Sequence, residues 1–224
     1  MKRCLALLSF FLYLSVFGQE TPFTPVDRER VRKAVTDSLA PTYYPKLLDR
    51  FNAFDTSLTL DEYRMLYYGY VFQGAYSAFP DEKKKEIIQA INDKDFERSA
   101  DISDSLLDEC PISLTGNYYK GLSLFYAYPD KTDYTLYRSR FIQLIAAILS
   151  SGNGLTTKTA FKTIFVADEY QIIYTHFKIE QFISQSLIGH CDLLTITPSA
   201  AWPHKEIYFD TSESLRKETE LFGK

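Results

Sequence analysis

Cysteine and histidine are scarce, three of each in 224 residues, and neither falls into a local pattern that metal or nucleophile chemistry would require. His176, His190 and His204 stand fourteen residues apart. A zinc-binding helix would hold two of them four apart, so polar turn or surface positions are expected and no metal or other cofactor is implied. A phosphate-binding loop is missing as well. Gly152-Asn153-Gly154 lacks the following glycine and lysine, and it precedes a strand pattern where that motif would open a helix.

Long apolar runs are absent except at the start. Met1-Lys2-Arg3-Cys4 places two positive charges before Leu5 to Phe17, which carries no charge. The run closes on Val16-Phe17-Gly18, with tolerated residues one and three positions before a cut after Gly18. Residues 1–18 therefore read as a cleavable signal peptide, since a membrane span needs about 20 apolar residues. Cys4 lies before the run, whereas a lipoprotein cysteine ends it. The expected product is an exported protein, periplasmic or secreted, with no membrane span in the mature chain. Loss of Lys2 and Arg3 leaves 23 basic residues against 29 acidic, a net charge of −6, which speaks against nucleic acid as a partner.

Two cysteines survive maturation, Cys110 and Cys191. They could form one disulfide in an oxidising compartment; two buried free thiols are the plainer alternative, because sequence does not show that the two residues meet.

With 46% hydrophobic and 24% charged residues the chain is of ordinary globular composition. The fold class expected is α+β. Residues 19–151 form N-terminal helical hairpins, and residues 152–224 form a small mixed unit of about four strands and two helices. Tyr44, Leu47, Leu48 and Phe51 recur at helical spacing, as do Tyr63, Leu66, Tyr67, Tyr70 and Val71. Thr59-Leu60-Asp61-Glu62 supplies a capping box for the second of these helices. Further helices are expected from Asp81 to Ile91, from Asp95 to Glu109 with Pro111 as its stop, around Tyr119, Leu122 and Tyr126, and through Tyr137, Phe141, Leu144, Ile145 and Ile148. The helices of Asp95 to Leu149 loosely resemble tetratricopeptide units, although consecutive units differ in length. Beyond Gly154 the period becomes two. Phe161 to Val166, Phe182 to Ile188, Leu193 to Thr197 and Glu206 to Asp210 read as strands. Asp168 is read as the cap of a short intervening helix, and a helix from Glu213 to Phe222 closes the chain.

Gly152-Asn153-Gly154-Leu155 with Ala160-Phe161-Lys162, Val166-Ala167-Asp168-Glu169-Tyr170, Ser184-Gln185-Ser186-Leu187-Ile188-Gly189, Cys191-Asp192 and Ile207-Tyr208-Phe209-Asp210 resemble the domain of unknown function family 4919. So do Leu60-Asp61-Glu62-Tyr63-Arg64 and Leu66-Tyr67-Tyr68-Gly69-Tyr70. The resemblance implies an exported protein of a Bacteroides-type bacterium. It carries no reaction, ligand or catalytic residue.

Three constellations remain. His190-Cys191-Asp192 has the residue types of a thiol nucleophile site, but a strand starting at Cys191 would turn His190 and Cys191 to opposite faces. Asp61-Glu62 and Asp168-Glu169 could act as acid-base pairs, yet both stand where carboxylates favour helix starts. The chain also holds 17 Tyr and 17 Phe, with doublets Tyr43-Tyr44, Tyr67-Tyr68 and Tyr118-Tyr119. Adjacent helical residues diverge by about 100°, so one ring of each pair can face the core while the other meets a rim. Tyr67, Tyr68, Tyr118 and Tyr119 are the binding candidates, on the ground that tyrosine offers area and a hydroxyl at low entropic cost. The function expected is a non-catalytic exported binding or interaction module for a protein or glycan ligand. The alternative is an exported hydrolase using Cys191 or a histidine-acid pair.

Overall fold

The structure is a computed structural model that describes residues 23–77 and 83–223. The expected signal peptide lies outside the described residues, as do Asp81 and Glu82 at the expected start of the fourth helix.

The helix signals written in the sequence are the ones the backbone uses. In α2 (Tyr44–Asn52), with proline in its first turn, Tyr44, Leu47 and Phe51 are buried. It follows α1 (Arg28–Thr36), whose Asp27 cap accepts the Arg30 amide. The Thr59–Glu62 capping box opens α3 (Leu60–Gly69), which tightens into one 3-10 turn at Tyr70–Phe72. Next come α4 (Lys84–Asn92) and α5 (Phe96–Glu109); Asp95 caps the latter and Cys110-Pro111 ends it. Ser113 then caps α6 (Leu114–Ala127), and α7 (Tyr134–Leu149) runs to the Gly152 loop. Lys94 and Lys178 adopt positive φ after helices, where glycine is the usual residue.

The second part carries β1 (Phe161–Lys162), α8 (Val166–Thr175), β2 (Phe182–Ile188), β3 (Cys191–Ile196), β4 (Glu206–Asp210) and α9 (Ser212–Phe222). The chain is thus α+β, with a four-stranded sheet of order β1-β4-β3-β2. The β1–β4 pair is parallel and the other two are antiparallel. Register places Phe161, Ile207, Phe209, Asp192 and Leu194 on one face, all buried. Gly154, at φ +68°, enters this region under the Phe161 ring, which would lie 2.4 Å from any Cβ there.

Two expectations are corrected. The strand read over Phe161 to Val166 stops after two residues: the Thr163 amide still donates to the Asp210 carbonyl at 3.0 Å, and from Ile164 side chains replace the ladder. The Ile164 amide donates to the Tyr67 hydroxyl at 3.1 Å, and the Ile164 carbonyl accepts from Tyr76 and Ser214. Asp168 does not cap α8. Phe165 holds that position, and Asp168 lies three residues on, within the first turn, accepting from the Tyr67 hydroxyl at 2.5 Å.

These tyrosines join the two parts. Tyr68 donates to the Lys162 carbonyl at 3.1 Å, so three hydroxyls from the helical part meet the β1–α8 connection. One cluster of buried apolar side chains runs from Val31 through Leu66 and Ile148 to Phe165, Leu194 and Phe209. It crosses the change of secondary structure at Gly152 without interruption.

Candidate functional site

α7 is apolar on two sides. Phe141, Leu144, Ile145 and Ile148 serve the core expected of them, and Arg140 anchors the same side. The Arg140 guanidinium lies 3.3 Å from the centroid of the Phe54 ring and donates to the Phe51 carbonyl at 2.5 Å. Burial lowers its pKa to about 10, which leaves it charged at neutral pH. A second stripe, Arg138, Ile142, Ala146 and Leu149, repeats at four, four and three residues and faces away from that anchor.

Opposite this stripe stand Tyr118, Leu122 and Phe125 of α6, and between the two helices opens a groove of about 880 Å³. Gly121 also lines it, at a point where an added Cβ would make ordinary contact with the Tyr134 carbonyl at 3.4 Å. Thr175, His176 and Lys178, at and after the end of α8, make the third wall. Phe23 closes the end beside Leu149 and Ser150. It is held there because the neighbouring Thr24 amide donates to the Ser150 carbonyl and its carbonyl accepts from Arg64. Ile142 and Phe125 are 47% and 44% exposed, so the groove presents apolar surface to solvent.

Of the four candidate tyrosines, Tyr118 lines this groove. Tyr119 is half-buried beside it, the two rings edge to face with centroids 5.1 Å apart, and it does not contribute to the lining. Tyr67 and Tyr68 are both buried. Neither ring reaches a rim, because both hydroxyls are spent on the β1–α8 connection.

Cys110 and Cys191 are both buried and no disulfide joins them, which is the plainer of the two alternatives. Cys110 caps α5, and Cys191 opens β3, its thiol donating to the Thr157 carbonyl at 3.6 Å. Burial, followed by the Asp210 carboxylate, pushes the Cys191 thiol up to about 11, far from a thiolate at neutral pH. Asp210 pairs across the strands with Cys191. Against the opposing effect of burial, Lys162, 3.1 Å away, and Ser212 hold the Asp210 carboxyl below its ordinary range. His190 is 62% exposed, with its Nε2 3.9 Å from Asp210. His204 packs on Trp202 and His176 on Phe177. Among the described residues no group of three His, Cys, Asp or Glu side chains converges to hold a metal ion.

The Asp61-Glu62 pair keeps the capping role expected of it, through Glu62. Asp168-Glu169 does not. Glu169 is fully buried, with its carboxyl set against that of Asp192. Burial, then the adjacent Asp192 and Asp168, raises its pKa well above its ordinary value, and it lies enclosed against β3.

Among the groove residues missed in the sequence are Arg138, Ile142, Ala146, Leu149, His176 and Lys178. A signal existed for α7: from Leu144 to Leu149 no residue is polar, and a helix apolar beyond one stripe needs cover on both sides. No comparable signal marks the α8 end, whose place in the groove is set by tertiary packing.

No curated protein and no solved structure matches the chain. A family match does exist, to the Domain of unknown function (DUF4919), and it spans residues 29–220. Covering most of the chain, it shows that this protein belongs to the DUF4919 family.

Proposed function

We propose that this is a non-catalytic exported binding module whose ligand site is the α6–α7 groove, with the hairpins of α5 to α7 acting as a tetratricopeptide-like scaffold. The observation that carries the reading is the second apolar stripe of α7, open to solvent in a groove of about 880 Å³. That size lies within the range of about 300–1,000 Å³ usual for pockets that bury a small ligand. Covering apolar surface yields about 25 cal/mol per Å², and the apolar lining favours an apolar ligand body over a glycan. Export is supported by the leader pattern of residues 1–18.

The surroundings of the polar groups favour binding over hydrolysis. Cys191 holds its proton against the Thr157 carbonyl, His190 stands outside hydrogen-bond reach of Asp210, and Glu169 is enclosed. Nucleophilic catalysis needs a thiol and base within hydrogen-bond reach.

Titration of the purified protein with phenylnaphthylamine, a neutral apolar fluorophore, tests the reading. Saturable binding is expected, weakened at least about tenfold, or about 1.4 kcal/mol, by Ala146→Trp, which fills the groove. Ile142→Glu should act likewise, and both variants should melt as the parent does. Absence of binding, or binding unchanged in both variants, contradicts it.

A further inference from the structure

The groove has a sign. Its lining includes Arg138 and Lys178 and no aspartate or glutamate, although the chain as a whole carries a net charge of −4. Among the described residues neither cation is held in an ion pair, while Arg28, Arg32, Arg50, Lys83, Lys120, Lys162, Arg216 and Lys217 are. Both stand exposed at the rim, one on α7 and one just after α8. His176 lies between Thr175 and Lys178 on the same wall; burial and then Lys178 hold it below its ordinary range, so the positive charge at neutral pH belongs to Arg138 and Lys178.

We infer that the groove takes a single-chain anionic amphiphile, a long-chain carboxylate whose tail lies along Ile142, Ala146 and Leu149 and whose head meets Arg138 or Lys178. The inference rests on the groove reading above and adds the ligand class. A cationic amphiphile would be repelled at both rim positions, and a neutral one would leave both cations unpaired beside buried apolar surface. A glycan would leave the apolar stripe uncovered. The stripe from Arg138 to Leu149 runs about 16 Å along the helix axis, which suits a single extended chain of roughly twelve carbons ended by Phe23.

Three probes of equal chain length separate the possibilities: dodecanoate, dodecanol and dodecyltrimethylammonium, each titrated below its micelle concentration by calorimetry at neutral pH. Dodecanoate should bind about tenfold or more tighter than either of the others, as one charge-assisted hydrogen bond at the rim implies. In the double variant Arg138→Gln/Lys178→Gln the ratio of dodecanoate to dodecanol affinity should collapse toward one, and the single variants should show which cation carries it. Equal affinity for all three heads overturns the anionic assignment and leaves the groove reading intact. A preference that survives the double variant overturns it too. Failure of all three to bind overturns both readings.

Discussion

A carboxyl group under a sheet behaves differently from the same group at a helix start, and Glu169 shows by how much. Its neighbour Asp168 shares the first turn of α8, yet Asp168 has the Tyr67 hydroxyl and Glu169 has only the adjacent Asp192 carboxyl. The folded-state pKa of Glu169 is raised above its ordinary 4.5. Between that value and the folded one, the folded protein keeps a proton that the unfolded chain has released, so stability falls as pH rises through the window. Below 4.5 both states hold the proton and the penalty vanishes. Glu169→Gln removes the titration, and its amide can donate to Asp192. The variant should be more stable than the parent at pH 7, by about 1.4 kcal/mol for each pH unit of that window lying below 7, with the advantage gone by pH 4. Urea melts across that pH range measure it; a variant no more stable at pH 7 contradicts the assignment. None of this was legible in Asp168-Glu169 as a dipeptide. Two acids at a helix start look like caps, and only the fold brings Asp192 above them. Tyr67-Tyr68 misled in the same way, since spacing shows where a ring points and not what awaits its hydroxyl.

At the scale of elements the sequence speaks most clearly where a local bond fixes a boundary. The Thr59–Glu62 box and the Pro111 stop depend on residues within four positions of each other, and each appears as read. The β1 region depends on distant partners. Phe161 to Val166 has the alternation of a strand, but Tyr67, Tyr76 and Ser214 take up the backbone groups of Ile164 and the chain turns into α8. Helix contacts are equally particular. In α3, Gly69 lies where an added Cβ would stand 2.7 Å from a Val35 methyl of α1 and 3.1 Å from the Tyr44 ring. Val35 is β-branched and buried, so it has little room to give way. Gly69→Ala should therefore destabilise the protein by about 1–3 kcal/mol in spite of the better helix propensity of alanine, as read by thermal or urea unfolding. A neutral or stabilising result would mean that α1 can move off α3.

For the molecule as a whole, the α+β order was legible because the hydrophobic period changes from helical to alternating at Gly154. That the two parts share one core was not, since it depends on tyrosines of α3 reaching the β1–α8 connection. The groove follows from the same assembly. Arg140 and the core stripe of α7 face inward, Phe23 is pinned at one end through Thr24, and the remaining stripe of α7 is left facing α6 across open space. The most direct test of this account is a methyl-resolved NMR titration of the protein with dodecanol, which carries an apolar chain and no charge. Resonances of Leu122, Ile142 and Leu149 should shift in a saturable manner while those of Ile87 and Ile207, buried elsewhere, stay in place. Shifts concentrated on the sheet around Leu193 and Cys191, or no shifts at all, would contradict the claim that the α6–α7 groove is the binding surface.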